Sequence, residues 1–148
     1  MILFLLACIF SPYRLEQAVQ NFDRHVLIDS LQNGKFGYER EQAAIGLRRI
    51  SPTASIQQAI HSLHSCISNT KEFDYVRKEC VQTLAAWKDA KLPELVVDAI
   101  KDVDEETRYW MAFSLRLRTD SQSRALLESL KNDSDPVLAY SVRQWLEE

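Results

Sequence analysis

The three histidines and three cysteines of this 148-residue chain are its first candidates for metal binding or nucleophilic chemistry. Two of the histidines and one cysteine fall together in His61-Ser-Leu-His64-Ser-Cys66. Positions three apart are neighbours on a helix, so His61 and His64 could face one ion. A zinc site needs three or four converging ligands, and Cys66 lies roughly 160° around the helix from His64. His61 faces away from the apolar stripe Ile56, Ala59, Ile60, Leu63 and Ile67, and His64 lies at its edge. The solvated-surface reading of both side chains therefore outweighs the ligand reading, and no metal or cofactor is expected.

Other catalytic patterns are missing. There is no Gly-x-Ser-x-Gly and no His-Glu-x-x-His, and the pairs Glu105-Glu106 and Glu147-Glu148 sit where helix ends put exposed charge. Three glycines in the whole chain leave nothing for a phosphate-cradling loop. Cys8, Cys66 and Cys80 are odd in number and without Cys-x-x-Cys spacing, which favours packed, reduced thiols in a reducing compartment. The chain is expected to be noncatalytic.

Charge narrows the partners. With 18 basic and 21 acidic residues and a pI near 5.7, no global field attracts nucleic acid or an anionic membrane. Arg48, Arg49, Arg77, Lys78, Arg116 and Arg118 are interleaved with Asp and Glu, so a nucleic-acid partner is disfavoured. A 46% hydrophobic composition at this length is enough for one domain with its own core. The continuously apolar run from Met1 to Phe10 is too short to span a bilayer, and no Lys or Arg precedes Arg14. Residues 1–22 read as an apolar N-terminal segment with a capping helix, in a cytoplasmic protein. The alternative is a secretory or lipoprotein leader, because Leu5-Leu-Ala-Cys8 is similar to a lipidation box. A fragment boundary within a longer protein also stays open.

The elements that must position these residues are short amphipathic helices. The 3.6-residue period predicts helices over 12–21, 23–33, 38–50, 53–68, 73–88, 92–101, 105–117, 121–132 and 136–147, with a further apolar helix over 2–9. Ser11-Pro12, Ser51-Pro52, Leu92-Pro93 and Asp135-Pro136 place proline in a first turn, where its missing N–H has no intrahelical partner. Connections of two to five residues make consecutive helices antiparallel hairpins.

The hairpins repeat. Lys101-Asp-Val-Asp-Glu-Glu-Thr-Arg108 aligns with Lys131-Asn-Asp-Ser-Asp-Pro-Val-Leu138 at a spacing of 30. Tyr75-Val-Arg77 and Tyr38-Glu-Arg40 continue the series upstream, each leading into an Ala-rich or apolar helix. A period of 30 to 37 built from two helices marks an α-solenoid, here all-α with about four repeats. With an acidic turn, a Val-Arg-type helix start and an Ala-rich helix, residues 23–148 resemble the HEAT repeat family, in particular its short bacterial members and those of phycobilin lyases. Asp102-x-Asp104-x-x-x-Arg108 fits best, and Leu138 stands where an arginine is expected. HEAT-like metal enzymes such as deoxyhypusine hydroxylase use repeated His-Glu pairs, which this chain lacks.

Arg40, Arg77 and Arg108 could form an anion-binding ladder, but charged hydrogen bonds between successive turns are the stronger reading, with Asp102 or Asp104 as partner of Arg108. Trp87, Trp110 and Trp145 read as core or interface filler. The resemblance implies a protein-binding scaffold whose second helices, 53–68, 92–101 and 121–132, line a concave face. Aligning Ile67, Ile100 and Leu130 puts His61, Glu94 and Arg124 in one outward row and Ser65, Asp98 and Glu128 in the next. These six residues are the expected binding strip for a protein partner. The alternatives are a component of a lyase-like or small-molecule-handling enzyme, or a nucleic-acid binder. The last helix, lacking a further partner, is expected either to fold Tyr140 and Trp145 back as a cap or to self-associate. With no converging third ligand, chelation by EDTA should leave helical circular dichroism and the thermal midpoint unchanged. A fall of several degrees, reversed by zinc, would overturn that expectation.

Overall fold

A computed structural model describes residues 13–50 and 56–147. The apolar run through Phe10, with Cys8, and the predicted cap and proline at Ser51-Pro52 lie outside the described residues, as does the predicted helix over 2–9. The chain forms α1 over residues 13–20, α2 (Arg24–Asn33), α3 (Gly37–Arg49), α4 (Gln57–Ser68), α5 (Asp74–Ala86), α6 (Leu92–Ala99), α7 (Glu105–Phe113), α8 (Ser121–Ser129) and α9 (Pro136–Glu147). A 3₁₀ turn, Leu130–Asn132, follows α8, and no strand occurs among the described residues.

Local chemistry starts and stops these helices. Asp23, Asp104 and Asp120 cap α2, α7 and α8 by accepting from the backbone N–H three residues on, each worth about 1 kcal/mol. Asp135 accepts from the Val137 N–H, and Pro136 opens α9. Phe22 and Lys88 hold φ at 56°, the left-handed region that reverses the chain between helices and that costs an L-residue roughly 1–2 kcal/mol.

The helices stack in two layers. α2, α4, α6 and α8 pack side by side in one, and α3, α5 and α7 in the other. α9 extends the second layer through Trp145, whose ring stands edge-to-face with Tyr109 and Phe113, 5.6 Å from each. Between the layers Leu27, Leu47, Leu63, Leu84, Val96, Met111, Leu115 and Leu138 are fully buried. α1 joins the same core through Leu15 and Ala18.

At α4 and α8 the pairing is offset by one helix from the predicted one, whereas α6 contacts α5 as predicted. α2 packs on α3, α4 on α5 and α8 on α9, so α4 and α8 are the first members of their hairpins. The last helix consequently has a partner in α8 and the Leu130–Asn132 turn. Trp145 folds back as expected, whereas Tyr140 stays 62% exposed.

Arginines join one repeat to the next. Arg40 forms a two-pronged bond to Glu72 at 2.7 and 2.8 Å and donates to the Gly34 carbonyl. Arg77, 1% exposed, donates to the Ile67 carbonyl at 2.9 Å and to Asp102 at 3.0 Å. Arg108 reaches Asp133 at 3.1 Å. The ladder is therefore structural, and each arginine points forward to the following turn. Arg108 pairs with Asp133 rather than with Asp102, which Arg77 occupies, or Asp104, whose carboxylate caps α7. Counted from the caps, the last repeat is spaced by 31. Leu138 takes the buried place of Val76 and Thr107, and Ala139 takes the place of the arginine. Arg143, one turn on, donates to the Lys131 carbonyl instead.

Close approach of α3 to α1 and α2 depends on Gly46. A Cβ there would stand 2.9 Å from Leu27 Cδ2 and 3.0 Å from Val19 Cγ2. Gly46→Ala should destabilise by about 1 kcal/mol in urea titration, because overpacking of about 1–3 kcal/mol exceeds the roughly 1 kcal/mol gain in helix propensity. Lys88→Gly should instead stabilise by several tenths of a kcal/mol to about 1 kcal/mol by relieving the left-handed backbone. Gains from Gly46→Ala or losses from Lys88→Gly would contradict this packing.

Candidate functional site

The end of α7 builds a groove. The Trp110 carbonyl accepts from both the Ser114 hydroxyl, at 2.8 Å, and the Ser114 N–H, at 3.1 Å, the side-chain back-bonding that tends to bend a helix. α7 stops at Phe113, not at 117 as the periodicity suggests, and the chain continues in tight turns: Leu115 N–H to Ala112, Arg116 N–H to Phe113 and Arg118 N–H to Leu115. These turns bury Leu115, expose Leu117 to 84% and swing Arg116 and Arg118 to the side of α7. The opposite wall is the end of α5, with Gln82, Ala85, Ala86 and Lys88, together with Arg48 from α3.

An open groove of about 840 Å³ lies between these walls. Its lining carries four cations, Arg48, Lys88, Arg116 and Arg118, against the single carboxylate of Asp120. Trp110 and Phe113 stand edge-to-face at 5.5 Å, and the Arg116 guanidinium lies 5.3 Å from the Phe113 ring centre. Arg48 donates to Gln82 at 2.7 Å and pairs with Glu79 at 3.0 Å, while Arg118 donates to Asp120 at 2.9 Å. Arg48, Arg116 and Arg118 are thus held by their neighbours before anything binds.

Asp120 is tuned by this arrangement. Partial burial would raise its carboxyl, but the Ser123 N–H, Arg118 and the Ser123 hydroxyl outweigh that and hold it below the ordinary carboxylate value. Its contribution to stability is present above the unfolded value and is lost as the pH falls through the lower folded one. On the neighbouring α3 and α5, burial first and then the adjacent Glu79 raise the Glu41 carboxyl.

The six strip residues expected from the sequence are all exposed on the first layer. Glu94 and Asp98 meet in a shallow depression of about 410 Å³ shared with Val97, Gln122 and Ala125. Arg124 is drawn away, donating to the Leu146 carbonyl at 3.1 Å. Asp98 pairs with Lys101 and Glu128 with Lys131 along their own turns. His61 and Ser65 stand on α4 outside that depression. His64 is not a solvated surface residue: it is half-buried, its Nε2 3.2 Å from Asp89 in the turn after α5. Among the described residues no group of three or more His, Cys, Asp or Glu could hold a metal ion, and no helix is long and apolar enough to cross a membrane.

The groove is hidden in the sequence because tryptophans at helical spacing look like core filler and the cations alternate with acids. Trp87 does pack against the core, but Trp110 does not. The available signal was a second apolar row: Trp110, Phe113 and Leu117 fall at i, i+3 and i+7, apart from the buried Met111, Ala112 and Leu115.

Comparison with known proteins agrees with the architecture. The family described as HEAT repeats matches residues 60–147, more than half of the chain. No curated protein and no solved structure matches it. Two stacked layers of short helices, a repeated turn and forward-pointing arginines lie within this matched span, and the chain belongs to the HEAT repeat family.

Proposed function

We propose that this chain is a noncatalytic protein-binding module that seats an acidic segment carrying apolar side chains in the groove between α5 and α7. HEAT repeats generally mediate protein–protein interaction. The observation that carries the reading is the convergence of four cations with Trp110, Phe113 and Leu117 in one groove. Arginine and tryptophan are the residue types that most often dominate binding energy, and both are pre-placed here. The groove is open to solvent rather than enclosed, which suits a chain segment better than a buried small molecule. Aromatic and aliphatic anchors would supply the apolar contact, and carboxylates flanking them would meet the guanidinium groups.

A second reading keeps the strip of His61, Ser65, Glu94, Asp98, Arg124 and Glu128 as the binding surface. It is favoured by the depression at Glu94 and Asp98, whose charge suits a cationic partner.

Calorimetric titration with short synthetic peptides separates the two. Peptides bearing Phe or Leu between Asp and Glu residues should bind, and analogues with Lys in place of the acids should not. Lys88→Glu combined with Arg116→Gln should weaken the acidic peptide at least tenfold. Asp98→Lys with Glu128→Lys should leave it unchanged, because exposed substitutions shift stability by only about 0.5 kcal/mol. Moving from 50 to 200 mM salt should weaken binding several-fold. Preference for Lys-bearing peptides, with binding abolished by the Asp98 and Glu128 reversals, would place the site on the strip. Equal or tighter binding of single-stranded DNA would overturn the protein-partner reading.

A further inference from the structure

Cys66 on α4 and Cys80 on α5 bring their sulfurs to 2.7 Å across one hairpin. Both are free thiols, Cys80 fully buried and Cys66 8% exposed. A disulfide needs about 2.05 Å between sulfurs, so a shift of well under an ångström would close the bond. Two thiols this near one another, on helices that also pack through Leu63, Ile67, Val76 and Leu84, are already held in a bonding arrangement by the core. Neither takes part in the groove.

From this geometry we infer that Cys66 and Cys80 are an oxidisable pair, converted by a peroxide into a disulfide that ties α4 to α5. Cys66, the more accessible sulfur, attacks one peroxide oxygen, the O–O bond breaks and water or hydroxide leaves, so that Cys66 becomes a sulfenic acid. Cys80 then attacks the Cys66 sulfur, the S–O bond breaks, and the sulfenic oxygen leaves as water with the Cys80 proton. Two thiols and one hydrogen peroxide give one disulfide and two waters. Burial first, and then the neighbouring Cys66, hold the Cys80 thiol well above its ordinary value, which keeps it from being the sulfur that meets the peroxide first. The bond closes a loop of about 15 residues that contains the Glu72 turn gripped by Arg40. Oxidation should therefore stiffen the hairpin whose α5 end forms one wall of the groove.

The test treats the full chain with hydrogen peroxide and maps its peptides by mass spectrometry. The expected product is a Cys66–Cys80 linked pair, lighter by two hydrogens, with Cys8 unlinked. The thermal midpoint should rise by roughly 5–10 °C on oxidation and return with a reducing agent. Cys66→Ser and Cys80→Ser variants should each lose that shift, and Cys66→Ser should leave Cys80 unmodified by peroxide. A linkage through Cys8, sulfinic acid at Cys66 beside a free Cys80 thiol, or a linked pair with a lowered midpoint would overturn the inference.

Discussion

The forward reach of an arginine from the first turn of one helix to the acidic turn of the next repeat is the interaction on which the rest of this fold depends. Each short hairpin buries only one face and needs its neighbour to cover the remainder. Arg77 shows what this requires. Its guanidinium is enclosed, yet it is satisfied at once by the end of α4 through the Ile67 carbonyl and by the next turn through Asp102. A buried charge without such partners would cost several kcal/mol, so the arginine tolerates only one spacing between turns. Arg40 repeats the device with Glu72, where the hydrogen bond to that carboxylate, against the opposing effect of burial, raises the guanidinium further above its already high value.

That fixed spacing sets the groove. The turn after α6 is held by Arg77 through Asp102, and it carries Asp104, the cap that starts α7. The Asp104 N–H also donates to Asp74 at the start of α5. α5 and α7 are thereby registered at their N-termini, and the groove opens at their opposite ends, where α7 gives way after Phe113 to tight turns. Trp110 and Phe113 on one side and Ala85, Ala86 and Lys88 on the other are left facing each other across open space. Arg48 beside Glu79, Arg118 beside Asp120, Lys88 and Arg116 gather there in a grouping that the near-neutral composition does not disclose.

Much of the fold was legible in the residues. Period 3.6, the first-turn prolines and the Val-Arg-type starts located the helices of the described chain within a few residues, and the repeat of Tyr38 and Tyr75 reappears as stacked pairs with Phe36 and Phe73 at 5.7 and 5.4 Å. What the residues did not disclose depended on three-dimensional partners. Asp133 as the partner of Arg108 lies 25 residues away, and two nearer acids competed for the assignment. Hairpin pairing at α4 and α8 was offset because antiparallel neighbours on either side of a helix look alike in sequence. His64 is fixed by Asp89 across a turn, and the groove arises from a helix that ends four residues early. The exposed strip was placed on outward faces as the wheel indicated, but a helical wheel does not show that Arg124 folds toward Leu146.

The most direct measurement of the central claim is a double-mutant cycle between Arg77 and Asp102, using Arg77→Leu and Asp102→Ala with equilibrium urea unfolding. The arginine ladder predicts a loss of about 3–5 kcal/mol for Arg77→Leu, a smaller loss for Asp102→Ala, and a coupling of at least about 1.5 kcal/mol between them. Additive losses, with coupling within about 0.3 kcal/mol of zero, would show that packing alone holds the repeats together and would contradict the account.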